Sequence, residues 1–345
     1  MSFKQTTKLL LLYTASSAFT VASAEQLDTV EVTADFYQTP ALELGSSVTV
    51  FDSVTIQERG AEHLEQLLNL APNVNYAAGA SRGRFIQIRG LGERSQFVDP
   101  INPSVGVLID GIDFTGISTA ATTLDVQQVE ILRGPQGTLY GANALAGLIN
   151  IVSNGPGEET EGYIGATLGE FDTRILKAAV GGAITDSLGY RLAAQGTYSD
   201  GYIENTFLNR DDTNNIDENT LRGKLRWQPT NVLTLDFTGF YANVDNGYDA
   251  FSLDNTRETL SDEPGVDKQE TKAGAVKAEW KVKPSMRVLA NLSHADSDLE
   301  YRFDEDWAYP ELCIDFECTF GPDSGYSSVD NYLRDNRHTS LDLRT

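Results

Sequence analysis

Beyond the N-terminal leader region, no apolar run reaches the roughly 18 residues that a membrane-spanning helix needs, so a helical span is excluded. That shortage leaves a β-barrel open, because transmembrane strands carry only a weak alternating signal of about ten residues each. Basic residues are scarce beside acidic ones: 26 Lys and Arg stand against 50 Asp and Glu, for a formal net charge of −24. A chain this acidic is a poor partner for nucleic acid. Cysteine is nearly absent. Cys313 and Cys318 are the whole complement, and in an exported protein so close a pair reads as a disulfide closing a small loop rather than as part of a metal site. His63, His294 and His338 lie far apart in sequence. No nucleophile–base constellation stands out, so the sequence predicts no enzyme, no metal and no cofactor.

What the chain does have is glycine as punctuation in one segment. Residues 129–152 read Val-Glu-Ile-Leu-Arg-Gly-Pro-Gln-Gly-Thr-Leu-Tyr-Gly-Ala-Asn-Ala-Leu-Ala-Gly-Leu-Ile-Asn-Ile-Val. Val129, Ile131 and Leu132 make one apolar run, and Leu148, Ile149, Ile151 and Val152 another. Gly134, Pro135, Gly137, Gly141 and Gly147 lie between them, which predicts strand, turn, one helical turn and strand. A phosphate cradle is a poor reading, since the run holds no lysine and no Gly-x-x-x-x-Gly-Lys order. The stretch Gly90-Leu-Gly92-Glu-Arg-Ser95 starts like a dinucleotide fingerprint but has Ser95 where the third glycine belongs, and no βαβ unit surrounds it.

The N-terminus has the form of a secretory signal peptide. Lys4 and Lys8 make a basic start, Leu9 to Phe19 is an apolar core too short to span a bilayer, and Ala22-Ser23-Ala24 predicts cleavage after Ala24. Next, Leu27 to Ala34 alternates Val30 and Val32 with polar neighbours and favours an extended strand. Residues 45–155 read as a small α+β domain. Ser47 to Phe51 is a strand, and Ile56, Leu64, Leu67 and Leu68 recur near helical spacing before Pro72, predicting a helix at about 61–70. Phe85 to Gly90 and Val105 to Gly111 are two more strands.

Over almost its whole length the 129–152 segment resembles the plug-domain signature of TonB-dependent outer-membrane receptors. Ile88-Arg89-Gly90 and Asp110-Gly111 are similar to further plug motifs, and Asp28 to Ala34 is similar to the TonB box. Ala146 departs from the pattern, where the family usually shows a second glycine. The resemblance covers residues 27–155 and implies structural roles for Arg89, Gly90, Asp110, Gly111, Arg133, Gly134, Gly137 and Gly141. It implies that Asp28, Thr29, Val30, Glu31, Val32, Thr33 and Ala34 lend backbone hydrogen bonds to a sheet edge of TonB. The outward-facing plug loops correspond to about 76–84 and 91–104, which makes Tyr76, Arg82, Arg84, Arg94, Gln96 and Phe97 ligand-binding candidates. Equally, these arginines can pair with acids on a barrel wall and hold the plug to it.

From about residue 161 the texture changes to alternation with period two. In Leu221 to Trp227 the odd positions are Leu, Gly, Leu, Trp and the even ones Arg, Lys, Arg. Leu233, Leu235, Phe237 and Tyr241 face one way while Thr234, Asp236 and Thr238 face the other; Val276, Ala278, Trp280 and Val282 oppose Lys277, Glu279 and Lys281 in the same manner. One face suits lipid and the other a wet lumen. Short turns near 185–188, 228–231 and 283–285 alternate with long acidic stretches at about 201–218, 247–269 and 304–335. A soluble sandwich would also alternate, but the signal peptide and the Tyr and Trp near strand ends favour a barrel. About eight strands are predicted, at roughly 161–169, 173–183, 189–200, 219–228, 232–245, 270–282, 286–303 and 336–345. The expected fold class is an α+β plug domain followed by antiparallel transmembrane β-barrel strands. About 8 of 22 strands are expected, because an eight-stranded barrel is filled by its own side chains while a 22-stranded one holds a plug. Expected boundaries are 1–24 for the signal peptide, 25–44 for the TonB box and linker, 45–155 for the plug and 161–345 for the barrel.

The resemblance implies an active transporter in the Gram-negative cell outer membrane, energised through TonB and its inner-membrane complex. It also implies contact with outer-membrane lipid and lipopolysaccharide, a monomer, and a small-molecule cargo. A ferric siderophore leads among cargoes, with vitamin B12, haem and glycans as alternatives. A non-transporting outer-membrane protein, or an inactive truncated receptor, is the reading from another class.

Overall fold

The computed structural model describes residues 31–34, 39–95, 102–140, 143–312 and 327–345. The predicted signal peptide, Asp28 to Val30, Gln96, Phe97, Gly141, and the Cys313–Cys318 pair lie outside the described residues.

The plug begins with a short hairpin of β1 (Glu31–Val32) and β2 (Thr39–Pro40). After β3 (Ser47–Asp52) the chain enters α1 (Ser53–Arg59), not a helix at 61–70. Asp52 caps α1, its carboxylate accepting from the Thr55 N–H at 2.8 Å, and Gly60 at φ 63° ends it. A second turn, α2 (Glu65–Leu68), follows. The predicted helix is therefore split, because Ala61 to Leu64 leaves the helical path to bond the 121–123 segment: Leu64 N–H donates to Ala121 and Thr123 N–H to Glu62.

Next come β4 (Val74–Ala77), β5 (Phe85–Ile88), β6 (Leu91–Gly92), β7 (Val105–Ile109) and β8 (Ile112–Asp113). The Arg-Gly and Asp-Gly motifs are the two-residue turns between paired strands, β5 to β6 and β7 to β8. Arg89 (φ 56°) with Gly90 (φ 79°), and Asp110 (φ 52°) with Gly111 (φ 80°), have positive φ at both central positions, the type I′ geometry that matches strand twist. The glycine-punctuated segment forms β9 (Val126–Arg133), α3 (Gly137–Tyr140) and β10 (Gly147–Ser153). The main plug sheet runs β3-β9-β10-β7-β8, with β10 and β7 parallel and the other pairs antiparallel.

This sheet is buried on both faces, which is why its strands read as near-continuous apolar runs. Val129, Ile131, Ile149 and Ile151 pack with Ile56, Leu64, Leu67 and Leu68 of the helical side. Leu132 and Leu148 point the other way, into a smaller cluster with Val32 and Ala34.

The rest of the chain is an antiparallel meander. Its elements are β11 (Glu161–Leu168), β12 (Arg174–Thr185), β13 (Leu188–Ser199), β14 (Glu204–Asn205), β15 (Ile216–Thr230), β16 (Leu233–Tyr248), β17 (Glu258–Thr259), β18 (Gly265–Lys283), β19 (Met286–Asp304) and β20 (Val329–Arg344). All but β14 and β17 join one eight-stranded sheet in chain order, with β11 and β20 at its edges. The eight strands follow the predicted order but run further into the polar stretches, β18 starting at Gly265 and β20 at Val329. There both faces carry polar residues, so alternation in hydropathy vanishes while backbone pairing continues. The parallel β14–β17 pair ties two long loops together. Ile164, Leu168, Leu176, Leu221, Trp280 and Leu341 are exposed on the outward face, a surface suited to hydrocarbon. No helix among the described residues is long and apolar enough to cross a membrane.

Candidate functional site

The inward face of the sheet is not simply a wet lumen, as the alternation predicts. It is covered by the plug. Phe240, Ala242, Ala275, Ala295 and Leu299 join the plug core, and Phe240 meets Phe114 edge to face with centroids 4.9 Å apart. The inward charged residues bind plug groups. Arg191 grips Asp125 through two hydrogen bonds of 2.8 and 2.7 Å. Lys224 donates to Asp110 at 2.8 Å and to the Ser153 carbonyl at 3.0 Å, and Arg222 donates to the Leu124 carbonyl at 2.8 Å. Burial alone would raise the pKa of Asp110, but Lys224 and Arg222 outweigh it and hold the carboxyl below its ordinary range. The Asp110-Gly111 turn thus has a second use, as a docking point: Gly111 also gives its carbonyl to Asn291 at 2.9 Å.

Arg82 and Arg84, two of the ligand candidates, are engaged by acids. Arg82 reaches Glu218 of β15 through bonds of 2.7 and 2.8 Å and Glu65 of α2 at 3.0 Å. Its neighbour Ser81 donates to Asp267 of β18 through backbone and hydroxyl, at 2.9 and 2.6 Å. His63 is buried beside this network. Burial holds its imidazole below the ordinary value of 6.5, helped by the Arg82 charge. Its Nε2 donates to the Thr119 carbonyl at 3.0 Å.

Arg84 is nearly buried, 3.9 Å from Asp267, and stacks against Phe85 and Tyr301 with centroid distances of 5.1 and 5.4 Å. Tyr301 belongs to an aromatic group with Tyr248, Phe251, Phe303 and Tyr332, packed on Ala80 of the plug. Trp307 lies flat on Phe251 at 4.8 Å. Tyr76 is half-buried in β4, its ring filling the space beside Gly83, and Arg94 is exposed. That barrel-wall acids would pair with these arginines was a reading of the sequence, but which ones was not: Glu218, Asp267 and Tyr301 lie on strands more than 100 residues away, and only Glu65 is near in sequence.

The box-like strand is described from Glu31 onward and is docked on the plug. Val32 and Ala34 are buried against Leu132 and Leu148. Glu130, wholly buried in β9, accepts from Thr33 N–H at 2.7 Å, Thr33 hydroxyl at 2.8 Å and Ala34 N–H at 2.9 Å. Gln128 and Asn150 also donate to Glu130, at 2.6 and 3.0 Å. Gln128 further donates to the Glu31 carbonyl at 2.9 Å, and the Tyr140 hydroxyl to the Ala34 carbonyl. Among the structural motif residues, Arg133 bonds the Pro72 carbonyl at 3.0 Å and Ser47 Oγ at 2.9 Å, Gly134 has φ 125°, and Gly137 opens α3 with open space around it.

Comparison with known proteins shows what this geometry is similar to. The TonB-dependent Receptor Plug Domain matches residues 40–148. The pesticin receptor of Yersinia enterocolitica serotype O:8 is 33% identical over 170 residues, covering 49% of this chain and 25% of that receptor. The vitamin B12 transporter BtuB of Vibrio vulnificus strain YJ016 is 24% identical over 229 residues, or 64% of this chain and 36% of that protein. Among solved structures, the ferric yersiniabactin uptake receptor FyuA from Yersinia pestis superposes with a TM-score of 0.64 at 22% identity, over 86% of this chain and 49% of that one. The ferric-catecholate import receptor Fiu from E. coli K12 superposes with 0.68 at 17%, over 91% and 48%. The chain thus spans about half the length of these solved receptors, and its matches cover a quarter to a third of the curated relatives. The relatives are named as receptors and transporters, not as enzymes. A plug-domain match over residues 40–148, seated against eight barrel strands, makes the chain similar to the TonB-dependent receptors.

Proposed function

We propose that this chain is part of a TonB-dependent active transporter of the outer membrane that imports a ferric siderophore or a similar iron chelate. The observation that carries the reading is the plug packed against a barrel wall with the box-like strand Glu31–Ala34 at its surface. TonB, driven by its inner-membrane complex, would take that strand by β-augmentation and loosen the plug. The exposed aliphatic face would contact outer-membrane lipid and lipopolysaccharide, around a monomer.

Trp307, exposed and stacked on Phe251 at the outer side of the buried aromatic group of Tyr248 and Tyr301, supports a cargo carrying aromatic rings. Relatives named for ferric yersiniabactin and ferric catecholates support the same class. In this reading Arg82 holds plug to wall, while Tyr76 and Arg94 remain candidates for cargo contact.

Deleting Asp28 to Ala34 in the full-length receptor is the test. Iron-chelate uptake should fall to background while chelate binding at the cell surface stays at the unmodified level. Uptake at the unmodified rate would refute the assignment.

A further inference from the structure

The carboxylate of Glu130 has five donors, and three of them sit on the docked strand: Thr33 N–H, Thr33 hydroxyl and Ala34 N–H. Only Gln128 and Asn150 are its own neighbours on the plug sheet. A strand recruited by β-augmentation must offer free backbone N–H and C=O groups to the incoming sheet edge. Here Thr33 and Ala34 have already given their N–H groups to Glu130. The Glu31 carbonyl is taken by Gln128, the Ala34 carbonyl by Tyr140, and Glu31–Val32 pairs with Thr39–Pro40.

We propose that Glu130 is an intramolecular competitor for the coupling strand, a positioning residue that sets how often Glu31–Ala34 is open to its partner. The inference rests on the reading of Asp28–Ala34 as the partner-binding segment. Docked and partner-bound strands are mutually exclusive, because both states use the same N–H groups. Withdrawal of the strand removes three of the five donors from a carboxylate that has no solvent exposure while the strand is docked, and charge-assisted bonds to backbone N–H groups are lost with it. Val32 and Ala34 add the loss of their apolar contacts with Leu132 and Leu148. Both terms favour docking, so the partner meets a strand whose apparent affinity is lowered by its closed fraction.

Glu130→Gln preserves shape but replaces one acceptor oxygen by an NH2 that cannot accept, so at least one strand donor loses its partner. In the full-length receptor, affinity for the purified TonB domain should rise about tenfold, the change that ~1.4 kcal/mol represents. Amide exchange at Thr33 and Ala34 should quicken in parallel. Tyr140→Phe frees the Ala34 carbonyl without touching the plug sheet and should shift both readouts the same way, by less. A synthetic peptide of residues 25–38, which has no Glu130 to compete, should bind at least as tightly as the Gln variant. If the peptide binds while both variants keep unmodified affinity and exchange, Glu130 is no competitor and the proposal falls alone. If the peptide does not bind, the partner-binding reading falls and takes the proposal with it.

Discussion

Arg82 links three elements through one side chain: α2 by Glu65, β15 by Glu218, and the loop that carries Ser81 to Asp267. A buried ion pair is weak evidence of net stabilisation, but removing one partner strands the other charge at a cost of about 3–5 kcal/mol. Arg82→Ala should therefore loosen plug from wall, seen as faster protease cleavage of the 61–84 region in the folded receptor, while Arg82→Lys loses only part of the effect. If Arg82 served cargo alone, binding would fall with cleavage unchanged. His63 gives a pH prediction in the same region. Its folded pKa lies below 6.5, so the unfolded state binds the extra proton first as pH falls. The stability its neutral form contributes is complete above about 6.5 and is lost as pH drops through the depressed folded value. Amide protection factors in 61–70 should decline from pH 7 to pH 5, and His63→Gln should flatten that decline.

At the scale of the element, β10 can cross its neighbours only because residue 147 has no side chain. A Cβ there would lie 2.5 Å from Ile88 Cδ1 and 2.5 Å from the Leu132 carbonyl oxygen. The backbone oxygen cannot step aside, so Gly147→Ala should cost about 1–3 kcal/mol of plug stability by overpacking, measurable by urea unfolding followed at plug-specific probes. An unchanged midpoint would mean that β9 and β10 shift freely. Such positions were legible in sequence, because a turn with positive φ or a close strand crossing demands glycine and writes itself into one residue. The strand, turn, helical turn and strand of 129–152 were readable for that reason, whereas Arg89-Gly90 and Asp110-Gly111 were read only as motif residues at strand ends, and the fold shows them to be hairpin turns. Helix limits were not: Gly60 and the pairing of 61–64 with 121–123 are tertiary facts that spacing at Ile56, Leu64 and Leu67 cannot register. Nor could an acid in mid-strand announce its use, since Glu130 reads as a polar break in an apolar run until the strand it holds is seen. Arg222 and Lys224 read as lumen-facing charges, and only the fold shows that the lumen at their height is filled by plug.

For the whole molecule the deciding quantity is backbone hydrogen bonding in hydrocarbon. The strands β11 and β20 each present an outer row of N–H and C=O groups that pair with no strand among the described residues. Along a lipid-exposed edge each unsatisfied group costs several kcal/mol, so an open eight-stranded sheet cannot rest in a bilayer. Closing β11 onto β20 would satisfy the edges, but an eight-stranded barrel has an interior just wide enough for its own side chains. The plug, with Phe114 against Phe240 and Asp125 in the grip of Arg191, occupies that space on the inner face. Residues 25–345 expressed alone should therefore give no heat-modifiable, protease-resistant species in outer membranes. Fusing to Thr345 the strands that complete the barrel of a related receptor should restore one, since both edges then find partners. A folded, heat-modifiable monomer from residues 25–345 alone would mean that the sheet closes around the plug with eight strands, against the geometry of side-chain-filled barrels.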